Sequence, residues 1–290
     1  DALPIFESRR PMKRFENILK KIGPLPLILA AVALVIIVIA SASFHGHVAS
    51  NGLWGAIVAA FTSAILGSAA WFGNNYGMGI IIFTILIRFL ILPLMVYQVH
   101  SMMKMQGVQP ALKALQAKYP GKDTESRQLM MAEQQALYKE AGVNPFASLL
   151  PLIVQMPVLI ALYQAIYTSP VLKSGKFLWL QLGSHEPYYV LPILAAVFTF
   201  ASSWLSMQST PEQNGMTKAM PYIFPVVIFF SAIAVPSALS LYWVVGNVFQ
   251  TIQTFFLQNP FKIRRERELL KQKERELQRK IKKAKRGTRR

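Results

Sequence analysis

Gly77-Met78-Gly79-Ile80-Ile81-Ile82-Phe83-Thr84-Ile85-Leu86-Ile87-Arg88-Phe89-Leu90-Ile91-Leu92-Pro93-Leu94-Met95-Val96-Tyr97 is the stretch on which the reading of this chain turns. A hydrocarbon core about 30 Å thick takes about 20 apolar residues of helix, so 77–97 reads as one membrane span. Its single charge, Arg88, falls near the middle. An arginine at that depth costs about 2.5–3.5 kcal/mol on insertion scales. The usual relief is an acidic partner, yet all 13 Asp and Glu residues lie outside the apolar stretches. From mid-span the side chain hardly reaches the interface by snorkelling. Water is the remaining relief, so the sequence predicts helices that enclose a polar cavity around Arg88. The alternative is a dry bundle whose backbone carbonyls hold the guanidinium.

The rest of the chain fits a membrane setting. Apolar residues make up 53% of 290, while the formal net charge is +18. These properties are kept apart: basic residues cluster in 9–21, 104–139 and 262–290, with long apolar runs between them. With no cysteine, disulfides and thiolate chemistry are excluded. Of the histidines, only His45 and His47 are close together, in a loop beside Gly and Ser, and no metal site or cofactor is expected. Gly77 and Gly79 loosely resemble a nucleotide loop but lack the following Lys-Ser/Thr, and no hydrolase motif is present. An enzyme is not expected.

Further apolar stretches at 146–168, 188–207, 219–235 and 237–257 read as four more spans, the last two forming a tight hairpin about Pro236. Residues 1–42 combine a basic segment, an apolar run at 25–42 and Ala40-Ser41-Ala42, the layout of a cleavable secretory signal. Cleavage leaves five spans; without it, this is a sixth helix with its N-terminus inside. Lys and Arg are absent from 43–76 and limited to Lys173 and Lys176 in 169–187. They are frequent in 98–145 and 259–290. The positive-inside rule then places the mature N-terminus outside and the C-terminus in the cytoplasm. Within 43–76, Leu53 to Phe72 is apolar, with Trp54 and Trp71 near its ends, and reads as a helix at the outer interface. The segment 98–145 reads as a cytoplasmic helical hairpin, with helices at 99–118 and 124–141 about Tyr119-Pro120-Gly121. Met102, Met103, Met105, Met130 and Met131 give it an adaptable apolar surface, or simply pack its two helices together.

Candidate walls for the cavity follow from spacing. Thr84 lies one turn from Arg88 on the same face. Trp243, Asn247 and Gln250 share a face of 237–257, and Thr199, Ser202 or Ser203, and Ser206 trace a stripe leading to Gln208. Gln155 is near mid-depth in 146–168. Small polar residues can equally be interhelical glue, worth about 0.6 kcal/mol each. In the tail, Lys280, Lys282, Lys283, Lys285, Arg286, Arg289 and Arg290 form an acid-free basic cluster suited to anionic lipid or RNA phosphates. No aromatic residue follows Phe261, which argues against base stacking.

Several of these pieces carry a resemblance. Gly77 to Pro93 with its arginine, Asn144-Pro145 followed by Leu150-Pro151 and Gln155-Met156-Pro157, and Leu241-Tyr242-Trp243 leading to Asn247 resemble the YidC family of membrane protein insertases. The likeness spans roughly residues 50–260 and is to the short form without a large extracytoplasmic domain. It implies an all-α, five-helix transmembrane core around a hydrophilic groove open to cytoplasm and lipid. It implies that the arginine, matched by Arg88, attracts the acidic extracytoplasmic part of a client, with Gln155, Trp243 and Gln208 at groove positions. The hairpin would then recruit nascent membrane proteins, and the tail would contact the ribosome. Many short-form relatives carry a lipoprotein signal ending in cysteine, and this chain departs from that pattern.

The mechanism implied is a lowered barrier with no bond chemistry: a wet groove shortens the polar segment's path, and the client helix leaves sideways into lipid. Nothing in the sequence demands more than a monomer. Action alone or beside the general secretion channel stays open. A small-solute or anion transporter is the rival reading; it would show internal repeats, and none is evident.

Overall fold

The computed structural model describes residues 52–121, 123–144, 150–209 and 215–258, together with 261, 265, 268–269, 272–273 and 275–281. The signal-like segment 1–42, the Pro145 motif position and tail cations Lys282, Lys283, Lys285, Arg286, Arg289 and Arg290 lie outside the described residues. Those described are almost entirely helical.

Helix α1, Leu53–Ala70, is apolar on all sides and is long and apolar enough to cross a membrane. It ends in a short turn where Gly73 and Asn74 take a left-handed φ of 63° each. Helix α2, Tyr76–Leu90, starts under the Asn75 side chain, which accepts from the Met78 N–H at 3.1 Å. The two run antiparallel: the Phe61 and Phe83 rings meet edge-on at 4.9 Å, and Gly79 lies against Ile65 and Ala69. Trp54 is buried, its indole N–H donating to Gln164 Oε1 at 2.7 Å. The segment read as an interfacial helix packs lengthwise on the arginine-bearing helix.

The single span read over 77–97 is broken. Helix α3, Leu92–Lys118, follows α2 after Ile91 with its axis turned by 54°. Pro93 accounts for the break: it lacks an N–H, and its ring would clash with the carbonyl four residues back, so it suits only the first turn of a new helix. Helix α3 continues to Tyr119, and α4, Thr124–Glu140, returns under an Asp123 cap that accepts from the Ser126 N–H at 2.8 Å. Lys118 and Tyr119 donate to Glu133 Oε1 at 2.6 and 2.7 Å, clasping the two helices. These bonds, the lysine's foremost, hold the Glu133 carboxyl below the usual carboxylate range, and Glu133 in turn raises Lys118. Of the hairpin methionines, Met131 is exposed and Met102, Met103, Met105 and Met130 are half-buried.

Helix α5, Leu150–Thr168, leads into the short α6, Pro170–Ser174, and a two-stranded antiparallel ribbon, β1 Lys176–Phe177 and β2 Leu180–Gln181. The remaining helices are α7, Val190–Ser209; α8, Gly215–Ile233; and α9, Ser237–Gln258. Helices α8 and α9 do not pair along their length as the expected hairpin about Pro236 would. Each packs along α7, and they meet mainly at the joint, where the buried Ser240 hydroxyl donates to the Ala232 carbonyl at 2.9 Å.

The main core gathers at the end of the bundle that carries 169–189. Leu172, Leu180 and Leu182 fold inward to join Ile65, Ile80, Phe83, Leu162, Ile166 and Tyr242. The Phe177 ring occupies the space a side chain at Gly77 would need. The Ser237 hydroxyl, within 2.7 and 2.5 Å of the Gln181 and Ser184 carbonyls, shares its one proton between them, and its backbone N–H donates to Ser184 O at 2.7 Å, pinning the ribbon to α9. Buried Glu186 receives the Trp179 indole N–H and the Tyr188 and Leu191 backbone N–H groups at 3.0, 3.1 and 3.0 Å, capping the start of α7. This end of the bundle is therefore closed by packed apolar side chains. Around its sides, Phe89, Leu90, Val197, Tyr222, Val226, Phe230 and Phe256 point outward, a surface suited to hydrocarbon.

Candidate functional site

Arg88 lies where the main core gives way to a second buried cluster of Ile91, Leu94 and Val154. One turn before Arg88, Thr84 is fully buried and its hydroxyl donates to the Ile80 carbonyl at 2.6 Å. That bond occupies the threonine's only proton. Arg88 is itself 8% exposed, on the same face of α2, while Leu86, Phe89 and Leu90 on its flanks are exposed. The guanidinium therefore turns inward from an apolar surface. Its Nε is buried without a hydrogen-bond partner among the described residues, and no ion pair to Arg88 is present among them. A buried donor left unpaired typically costs about 1–3 kcal/mol, and more when charged.

Opposite Arg88 is Gly246 of α9. A Cβ at that position would overlap Arg88 Nη2 and lie 3.2 Å from its Cζ and Nε. One turn earlier, Tyr242 is buried at 1% exposure and its hydroxyl accepts from Gln155 Nε2 at 2.8 Å. The site is thus assembled from three helices: Thr84 and Arg88 from α2, Gln155 from α5, and Tyr242 and Gly246 from α9.

Other residues anticipated from sequence are placed apart from this cluster. Asn247 donates to the Ala195 carbonyl at 3.1 Å and to Thr199 Oγ1 at 2.7 Å, tying α9 to α7. The Thr251 hydroxyl extends this seam to the Phe198 carbonyl at 3.1 Å. Trp243 is half-buried against the apolar core, Gln208 is half-buried near the end of α7, and Gln250 is exposed. Lys280 is exposed in a helical stretch of the tail. Sequence reasoning missed Gly246 and Tyr242 as site residues. A lone glycine inside an apolar helix is compatible with a close approach, but it does not say which residue approaches.

The cluster holds no nucleophile–base pair, and no group of three or more His, Cys, Asp or Glu that could bind a metal occurs among the described residues. An internal cation among apolar helices defines a membrane protein with a polar intramembrane site. A family profile described as "60Kd inner membrane protein" matches residues 68–267. The chain is 55% identical over 255 residues to membrane protein insertase YidC 2 of Lactiplantibacillus plantarum, covering 88% of this chain and 92% of that protein. It is 52% identical over 245 residues to the YidC insertase of Pediococcus pentosaceus, covering 83% and 87%. It is also 51% identical over 251 residues to that of Enterococcus faecalis, covering 86% and 90%. Among solved structures, an active YidC insertase crystal structure with its first transmembrane domain resolved matches with a TM-score of 0.56 at 24% identity. That match covers 75% of this chain and 50% of the other, and it shows the common fold. The chain belongs to the YidC family of membrane protein insertases. It is accordingly a multi-pass protein of the cell membrane with the general function of that family, membrane protein insertion.

Proposed function

We propose that α2, α5, α7, α8 and α9 form a five-helix core around a hydrophilic groove, and that Arg88 is the counter-charge inside it. A client's polar, acidic extracytoplasmic segment enters the groove and meets Arg88 part-way across. The client helix then leaves sideways into lipid, stabilised by its own apolar area at about 25 cal/mol per Å². The observation that carries this reading is the buried Arg88 Nε without a partner among the described residues, in a protein whose apolar spans contain no carboxylate. A donor kept in that state is held ready for an anionic group that arrives from elsewhere. The packed end formed by 169–189 faces outside, and the hairpin of α3 and α4 faces the cytoplasm, in keeping with the Lys/Arg distribution. Gln155 lines the groove beside Arg88, with Trp243, Asn247, Gln250 and Gln208 further along it. The hairpin receives clients, and the basic tail contacts the ribosome or anionic lipid.

The test uses purified protein in liposomes and a single-span client with an acidic translocated tail. Arg88→Ala lowers insertion by about tenfold or more, the factor corresponding to about 1.5–3 kcal/mol of charge-assisted hydrogen bonding. Arg88→Lys retains much of the activity, and a client with a neutral tail depends little on either change. Correctly folded Arg88→Ala that inserts the acidic client at the full rate would overturn the role given to the arginine.

A further inference from the structure

The partner that shapes the arginine's position is a missing side chain. In α9 the three heavy atoms nearest to a Cβ built on Gly246 all belong to Arg88: Nη2, Cζ and Nε. Carbon contacts settle at about 3.5–4.0 Å, so the 3.2 Å separations from Cζ and Nε, and the still closer Nη2, leave no room for a methyl group. The helical glycines Gly77 and Gly79 of α2 are also tightly packed, but against Phe177 and against α1, not against a charged side chain. Gly67 in α1 and Gly107 in α3 meet nothing within 4 Å.

We infer that Gly246 is the positioning residue for Arg88: the bare backbone of α9 is the seat of the guanidinium and sets how far the charge projects into the groove. This rests on the groove reading for its functional consequence, but the seating itself does not. Tyr242, one turn away on the same face, is held by Gln155 and packed in the core. What meets the added methyl is the end of a flexible side chain, so the backbone stays and the guanidinium moves. Alanine also favours a helix interior over glycine by about 1 kcal/mol. Gly246→Ala therefore folds at least as stably as the parent while holding its arginine in a different place. A glycine needed only for helix packing would give the opposite result, lower stability with no dependence on client charge.

The decisive experiment measures Arg88 directly. Purified Gly246→Ala, Gly67→Ala and parent protein are treated with phenylglyoxal, which modifies guanidinium groups, and the Arg88 peptide is followed by mass spectrometry. The same proteins, with Arg88→Ala and the double variant, are assayed in liposomes with acidic-tail and neutral-tail forms of one client. In Gly246→Ala, Arg88 is modified several-fold faster than in the parent, while Gly67→Ala matches the parent. Insertion of the acidic-tail client falls towards the Arg88→Ala level, and the neutral-tail client is spared. Adding Gly246→Ala to Arg88→Ala changes nothing further, because the residue acts through the arginine. Unchanged or slower modification of Arg88 overturns the inference, as does a double variant weaker than Arg88→Ala. If Arg88→Ala impairs the acidic client and Gly246→Ala does not, the inference falls and the groove reading stands. If modification rises yet Arg88→Ala inserts normally, the seat is real and the groove reading falls.

Discussion

Replacing Glu186 by glutamine should weaken the closed end of the bundle, and the structure gives the size of the effect. The carboxylate is 5% exposed and accepts three hydrogen bonds, two at Oε1 from the Trp179 indole and the Tyr188 N–H and one at Oε2 from the Leu191 N–H. A glutamine can present its oxygen to one side only, so its NH2 must face at least one of these donors. Losing one bond to a charged acceptor costs about 1.5–3 kcal/mol. Removing the negative charge from the start of α7 adds about 0.3–1 kcal/mol through the helix dipole. Together these give about 2–4 kcal/mol. At about 2–4 °C per kcal/mol for a domain of this order, the melting midpoint should fall by roughly 5–15 °C. The assay is thermal unfolding in one detergent at a fixed scan rate, followed by tryptophan fluorescence, because the midpoint of an irreversible transition depends on scan rate. An unchanged midpoint would refute the argument that this carboxylate fastens 169–189 over the bundle.

Asn247→Ala removes the amide bonds to Ala195 and Thr199, each worth about 0.6 kcal/mol in a membrane bundle, so the midpoint drops by a few degrees while the difference between acidic-tail and neutral-tail clients persists. The cytoplasmic hairpin should loosen in acid. Glu133 and Asp123 both have folded carboxyls below the ordinary range, so their contribution is complete above the ordinary carboxylate pKa and is lost as pH falls through the lowered values. Hydrogen exchange of α4, corrected for intrinsic rate, should therefore accelerate at acid pH relative to neutral, and Glu133→Gln should flatten that dependence. Lys118, whose pKa is raised, contributes below the ordinary lysine value and loses its part only as pH rises through the raised one, so the clasp also weakens in strong alkali.

Much of the molecule was legible locally. The hydropathy of the chain and its acid-free apolar runs announced a helical membrane protein, and Thr84 and Arg88 could be placed on one helix face by counting alone. Pro93 sat in plain view inside the stretch read as one span, yet the break at Ile91 was not drawn from it. Membrane helices tolerate proline when neighbours satisfy the freed backbone groups, so the residue alone does not decide between a straight span and a bent one. The partner of the helix over Leu53 to Phe72 is likewise set by contacts such as Phe61 with Phe83, which hydropathy does not reveal.

The sequence by itself determined that this chain carries one charge inside apolar helices and no acidic residue within them, because composition and the period of the helix are local properties. Only the tertiary structure decided which groups surround that charge. In a membrane bundle the lipid-facing and core-facing surfaces are both apolar, so hydropathy no longer separates inside from outside and cannot name a partner helix. That is why Asn247 is engaged with α7, why Tyr242 rather than Trp243 holds Gln155, and why the residue against the guanidinium is Gly246, which has no side chain for a pattern to reveal.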